Sequence, residues 1–149
     1  MRLRGHRQQG AERYRNGVLP VNLKATVLYG VGIWAVTFIV AFAIFPLRAD
    51  ERPLFESIMP VVLTGATLVA TLRYLAGGEL PAATWRHGFR IGLLWLAISL
   101  ALDALMFSRG PMQMSLADYA KDIGVTYLII LIIPVGFGWF ADSHPQQRP

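Results

Sequence analysis

The sequence predicts an all-α integral membrane protein: four transmembrane helices in an up-down bundle, with both termini in the cytoplasm. Three observations predict it. Charged residues make up only 15% of the 149 residues and hydrophobic ones 54%, whereas a soluble domain carries about 25% charged residues. Mean hydropathy is +0.46, concentrated in four apolar runs, and a membrane-spanning helix needs about 20 mostly apolar residues. Lysine and arginine are also distributed unevenly between the two sides that four crossings define.

Residues 1–23 form a basic tail, with Arg2, Arg4, Arg7, Arg13 and Arg15 against one acid, Glu12. Gly5, Gly10, Gly17 and Pro20 interrupt any helical pattern there, so a mobile cytoplasmic tail is expected. A basic stretch ahead of an apolar one also fits a signal peptide. The apolar run that follows exceeds the roughly 7–15 residues of a signal h-region, so a retained span is the reading adopted. The net charge is +5. Its excess sits beside an apolar span, so the expected partner of the tail is anionic lipid and not nucleic acid.

The transmembrane domain covers 24–141. Its first span, about 25–46, carries no charge and ends at Pro46 and Arg48. The second, about 53–75, opens with Pro53, whose missing N–H costs nothing in a first helical turn. The few residues between them demand an antiparallel hairpin. A loop with Gly77, Gly78 and Pro81 leads through Trp85, Arg86, His87 and Gly88 to the third span, about 89–107. The connection Ser108-Arg109-Gly110-Pro111 follows. Ser115 and Asp118 resemble a capping box ahead of the fourth span, about 116–140, which Pro134 should kink. Residues 142–149 are a short polar tail.

Tails and middle loop hold Arg2, Arg4, Arg7, Arg13, Arg15, Lys24, Arg73, Arg86, Arg90 and Arg148. The two short corners hold Arg48, Arg52, Arg109 and Lys121. The positive-inside rule therefore puts both termini in the cytoplasm. Tyr29, Tyr74, Trp85 and Trp139 are expected in an inner aromatic belt, and Phe45, Phe55, Phe107 and Tyr119 near the outer interface.

Polar groups within the spans mark candidate sites. At about 100° per residue, Glu56, Pro60, Thr64, Thr67 and Thr71 fall within about 80° of one another on the second span. Gly92, Ser99 and Asp103 fall within about 40° on the third. Thr26, Gly30 and Thr37 share a face of the first, and Asp122 and Thr126 lie one turn apart on the fourth. Small and hydroxyl residues let membrane helices approach and hydrogen-bond. Packing is the plain reading of the polar faces Thr64, Thr67, Thr71, Ser99 and Thr126, and a polar pathway is the sharper one. Gly88 and Gly92 form a small-xxx-small pair that points weakly to self-association.

Acids near the outer ends say more, because a charge at the centre of a membrane helix costs about 2.5–3.5 kcal/mol. Glu56, Asp103, Arg109, Asp118, Lys121 and Asp122 form the candidate ionic cluster. Asp103 is expected to face Asp122 or a shared cation. Such a cluster either ties the outer corners together or binds a proton, a cation or a cationic substrate.

The chain has no cysteine, which excludes disulfides and thiolate chemistry. His6, His87 and His144 all lie outside the spans, which disfavours bis-histidine haem. Nucleotide-binding and hydrolase motifs are absent, and nothing points to a metal or other cofactor. The leading expectation is a non-enzymatic structural or accessory subunit, in a larger membrane complex or a homo-oligomer. The alternative is a small proton- or cation-coupled transporter using the outer carboxylates. An intramembrane enzyme ranks third.

Overall fold

A computed structural model describes residues 22–79, 84–109 and 123–143. All its regular elements are helical: α1 Leu23–Ala43, α2 Leu47–Asp50, α3 Arg52–Tyr74, a π-helical turn Leu75–Glu79, α4 Trp85–Arg109 and α5 Leu128–Ser143. Helices α1, α3 and α4 are long and apolar enough to cross a membrane, and α5 is a shorter apolar helix.

Local chemistry sets the ends. The Asn22 side chain accepts from the Ala25 N–H at 3.3 Å and starts α1. Pro53 occupies the first turn of α3. The hairpin expected between the first two spans contains the four-residue helix α2. Helix α4 starts four residues earlier than the sequence suggests. Thr84 accounts for this: its Oγ1 accepts from the His87 N–H at 3.3 Å, and its carbonyl from the Gly88 N–H at 3.0 Å. That is an N-cap, and it brings the polar Trp85-Arg86-His87 segment into the helix.

The fourth helix begins later within the described residues than expected. Leu128, Ile129 and Ile130 donate to the carbonyls of Val125, Thr126 and Tyr127, three residues back. This tightened turn follows Gly124 and β-branched Val125, both weaker helix formers than leucine. The expected start at Ser115 and Asp118 lies outside the described residues. Pro134 sits inside α5, fully buried.

The four long helices pack as a ring. α1 lies between α3 and α4, and α5 completes the ring between the same two, leaving α3 and α4 on opposite corners. Their inward faces supply Ile33, Leu63, Ile91, Trp95 and Ile130, each no more than 2% exposed. Tyr74 of α3 and Trp95 of α4 meet edge to face across the axis at 6.0 Å. Tyr74 is thus a core residue and not a member of the expected inner belt, while Trp85 and Trp139 are exposed.

The closest approach is between α4 and α5. A Cβ on Gly88 would lie 2.1 Å from the Pro134 carbonyl oxygen, and one on Gly138 2.4 Å from the Thr84 oxygen. Gly92 lies against Leu131 of the same helix α5. The Gly88/Gly92 pair is therefore consumed by packing within the chain and offers no surface for self-association. Of the polar face expected on α3, Thr67 and Thr71 are buried but Thr64 is exposed. The core arc of α3 is centred between Leu63 and Thr67, and Thr64 lies about 80° round from Glu56 at the far edge of the expected stripe.

Candidate functional site

Among the described residues, Asp103 is the acid that the bundle encloses. It is 4% exposed, one turn beyond the fully buried Ser99 on the inward face of α4. Among the described residues, two neutral side chains donate to its carboxylate. The Trp34 indole N–H of α1 donates to Oδ1 at 2.7 Å. The Tyr127 hydroxyl, in the tight turn ahead of α5, donates to Oδ2 at 2.6 Å. Three segments of chain thus converge on one carboxylate.

Each donor is itself positioned. Trp34 stacks on Phe38 one turn along α1, with ring centroids 4.9 Å apart and planes 14° from parallel. Tyr127 is 7% exposed, and its N–H donates to the Ile123 carbonyl at 3.0 Å. Both hydrogen bonds are short. The two contacts differ in one respect. An indole N–H can only donate, whereas a phenol can donate or accept. The Tyr127 contact can therefore persist whether or not the carboxyl carries a proton.

Asp103 lines a cavity of about 360 Å³, within the range of small-molecule sites. Its walls are mainly aromatic and aliphatic: Trp34, Phe38, Phe45, Phe55, Met59, Leu63 and Tyr127. Thr37 and Thr126 also line it. The Thr37 hydroxyl is already turned to the Ile33 carbonyl at 2.9 Å. Arg48, Arg52 and Glu56 line the same space from α2 and the first turns of α3. Arg52 and Glu56 pair at 2.6 Å while about half exposed, and a pair of this kind contributes only about 0.3–0.5 kcal/mol. The Arg48 guanidinium lies over the Phe55 ring at 5.9 Å. The cavity thus runs from a charged rim to the buried Asp103 carboxylate.

The expected cluster divides accordingly. Glu56 and Asp103 line one cavity, but Glu56 is engaged by Arg52 at the rim and Asp103 by Trp34 and Tyr127 inside. Asp118, Lys121, Asp122 and the Arg109 side chain lie outside the described residues, and with them the expected meeting of Asp103 with Asp122. Of the hydroxyl residues, Thr126 reaches the cavity, Thr67, Thr71 and Ser99 are buried in the bundle, and Thr64 is exposed. Sequence reasoning missed Trp34 and Tyr127. The available signal was a Trp and a Tyr in apolar runs, whose polar tips need partners when buried. Among the described residues no group of three or more His, Asp or Glu side chains could hold a metal ion.

Comparison with family models, curated proteins and solved structures finds no match to this chain.

Proposed function

We propose that the chain is a small multi-pass integral membrane protein that uses Asp103 as a proton- or cation-binding group in a solute-binding cavity. The membrane reading is supported by the outward faces. Val61, Leu28, Phe42, Ile39 and Ile132 are each more than 60% exposed, and soluble monomers rarely expose apolar surface so continuously. In this reading the helices alternate in direction across the cell membrane, with both termini in the cytoplasm. The rim of Arg48, Arg52 and Glu56 faces outward. The basic tail of residues 1–21 lies against anionic lipid.

The observation that carries the functional reading is the buried Asp103 carboxylate lining a cavity, where Trp34 and Tyr127 donate to it. Packing alone would be served as well by an apolar residue, because burying an acid inside a membrane bundle is costly. Each carboxylate oxygen accepts one hydrogen bond, Oδ1 from Trp34 and Oδ2 from Tyr127, and the side chain lines the cavity that a guest would enter. A guest with a positive charge or an N–H or O–H donor and an apolar body suits the aromatic walls. The Tyr127 hydroxyl can follow a change in protonation, as a proton-coupled cycle requires.

Proton flux into proteoliposomes, driven by an imposed potential or by a gradient of a lipophilic amine, tests this. Asp103→Asn is expected to abolish the flux and Glu56→Gln to leave most of it. Equal flux through wild type and Asp103→Asn would exclude the carboxylate mechanism.

The reading as an accessory subunit is favoured by a different observation. Gly32, Gly65 and Gly136 have nothing within 4 Å of where a Cβ would stand, so three faces of the bundle could admit a closely packed partner helix. Isolation in mild detergent with identification of bound proteins tests it. A chain that always runs alone would count against it.

A further inference from the structure

Buried hydroxyls in this bundle follow one habit. Thr26, Thr37 and Thr71 each turn Oγ1 to the carbonyl four residues back, at 3.0, 2.9 and 2.8 Å. This local bond is the usual way for a helix to satisfy a hydroxyl in apolar surroundings. Two residues break the habit. Thr67 is 0% and Ser99 1% exposed, and neither hydroxyl has a hydrogen-bond partner.

Helix register sets both at heights close to that of Asp103. The Thr26 carbonyl accepts from the Trp95 indole N–H at 2.9 Å, and its hydroxyl meets the Tyr74 hydroxyl at 3.3 Å. Thr26, Tyr74 and Trp95 therefore mark one layer across α1, α3 and α4. Ser99 and Asp103 lie one and two turns beyond Trp95 along α4. Thr67 lies nearly two turns before Tyr74 along α3, which runs the opposite way. At about 1.5 Å per residue, Ser99, Thr67 and Asp103 stand roughly 6, 10 and 12 Å beyond that layer. Thr67 is thus at a height between the other two, on the opposite corner of the ring, and all three are on inward faces.

We propose that Thr67 and Ser99 form an internal water site, and that its water solvates the Asp103 carboxylate from within the bundle axis. A buried water needs two to four polar partners. The two unpartnered hydroxyls supply two. The site rests on the Asp103 reading above only for its use, which is to give the carboxyl a polar neighbour besides the cavity. An acid that is solvated on both sides can take up a proton from one and release it to the other.

Thermal unfolding of the full chain in mild detergent tests the site without reference to transport. Removing an unpaired hydroxyl from a dry site relieves a cost, so Thr67→Val and Ser99→Ala would then raise the midpoint. Removing it from a hydrated site strands the water and its other partners. The expected result is a fall of about 2–4 °C for each variant, less than additive in the double variant because both hydroxyls serve one water. Thr67→Ser, which keeps the hydroxyl, is expected to fall less than Thr67→Val. A midpoint that rises or stays fixed in both hydroxyl deletions would overturn the site. A wild-type protein that carries no protons would overturn the transport reading and leave this measurement standing.

Discussion

Asp103 lies near the end of a helix where a lipid-facing acid could have reached water, yet it is 4% exposed and turned toward the axis. The interior therefore has to satisfy it, and the Trp34 and Tyr127 bonds contribute to this. Tyr127→Phe removes a 2.6 Å donor from a buried carboxylate oxygen and leaves the ring in place. Hydrogen bonds to charged groups contribute about 1.5–3 kcal/mol. A loss of that size in detergent unfolding is expected, with a similar loss for Trp34→Phe. The double variant should lose less in an Asp103→Asn background than in wild type, because the donors then serve a neutral acceptor. Equal losses in the two backgrounds would show that they act through packing. The acid itself was legible in the sequence, since the angle between Ser99 and Asp103 puts both on one face. Its partners Trp34 and Tyr127, the two among the described residues, were not. They lie 69 and 24 residues away along the chain, and periodicity shows which face of a helix is inward without showing what it meets.

At the scale of elements, the bundle depends on how closely α4 and α5 approach. Pro134 donates no backbone hydrogen bond, and Gly88 lies directly against its carbonyl. The obstacle to any larger side chain there is backbone, which cannot rotate away. Gly88→Ala is expected to separate the two helices and cost at least the roughly 1–3 kcal/mol typical of overpacking. Gly136, on the same helix as Pro134, has open space where a Cβ would go. Gly136→Ala should be neutral or stabilise by up to about 1 kcal/mol through helix propensity. Paired melting curves separate the two cases, and equal losses at both positions would mean that glycine acts there through flexibility. Sequence spacing found the Gly88/Gly92 pair but gave it to another molecule, because a small-xxx-small pattern records close approach without recording which helix approaches. Thr64 was misjudged for a related reason. A stripe drawn through hydroxyl residues alone is skewed from the true core arc, which also contains Leu63, Ala70 and Tyr74.

For the whole molecule, the ends of the helices carry the remaining information. Contacts among Thr26, Tyr74 and Trp95 bring the start of α1, the end of α3 and the start of α4 to one end. Lys24, Arg73, Arg86 and Arg90 gather there. Arg48 and Arg52 belong to the other end, beside the cavity. If the positive-inside rule governs insertion, the first end is cytoplasmic and the cavity rim faces out. The chain contains no cysteine, so a single introduced thiol reports its side without background. Ala49→Cys, exposed on α2, should react with a membrane-impermeant maleimide added to intact cells. Gly77→Cys, exposed beyond α3, should react only after the membrane is opened. The reverse pattern would invert the molecule and turn the Asp103 cavity toward the cytoplasm. Labelling of both from outside would mean that the polypeptide does not keep the two ends on opposite sides. Removing residues 1–21 adds a further test of what sets the direction. If the folded ends suffice, Ala49→Cys keeps its accessibility in the truncated chain. If the basic tail dominates, as its share of the Lys and Arg count suggests, labelling becomes mixed. Restoring Arg13 and Arg15 next to the first span should then recover the single orientation.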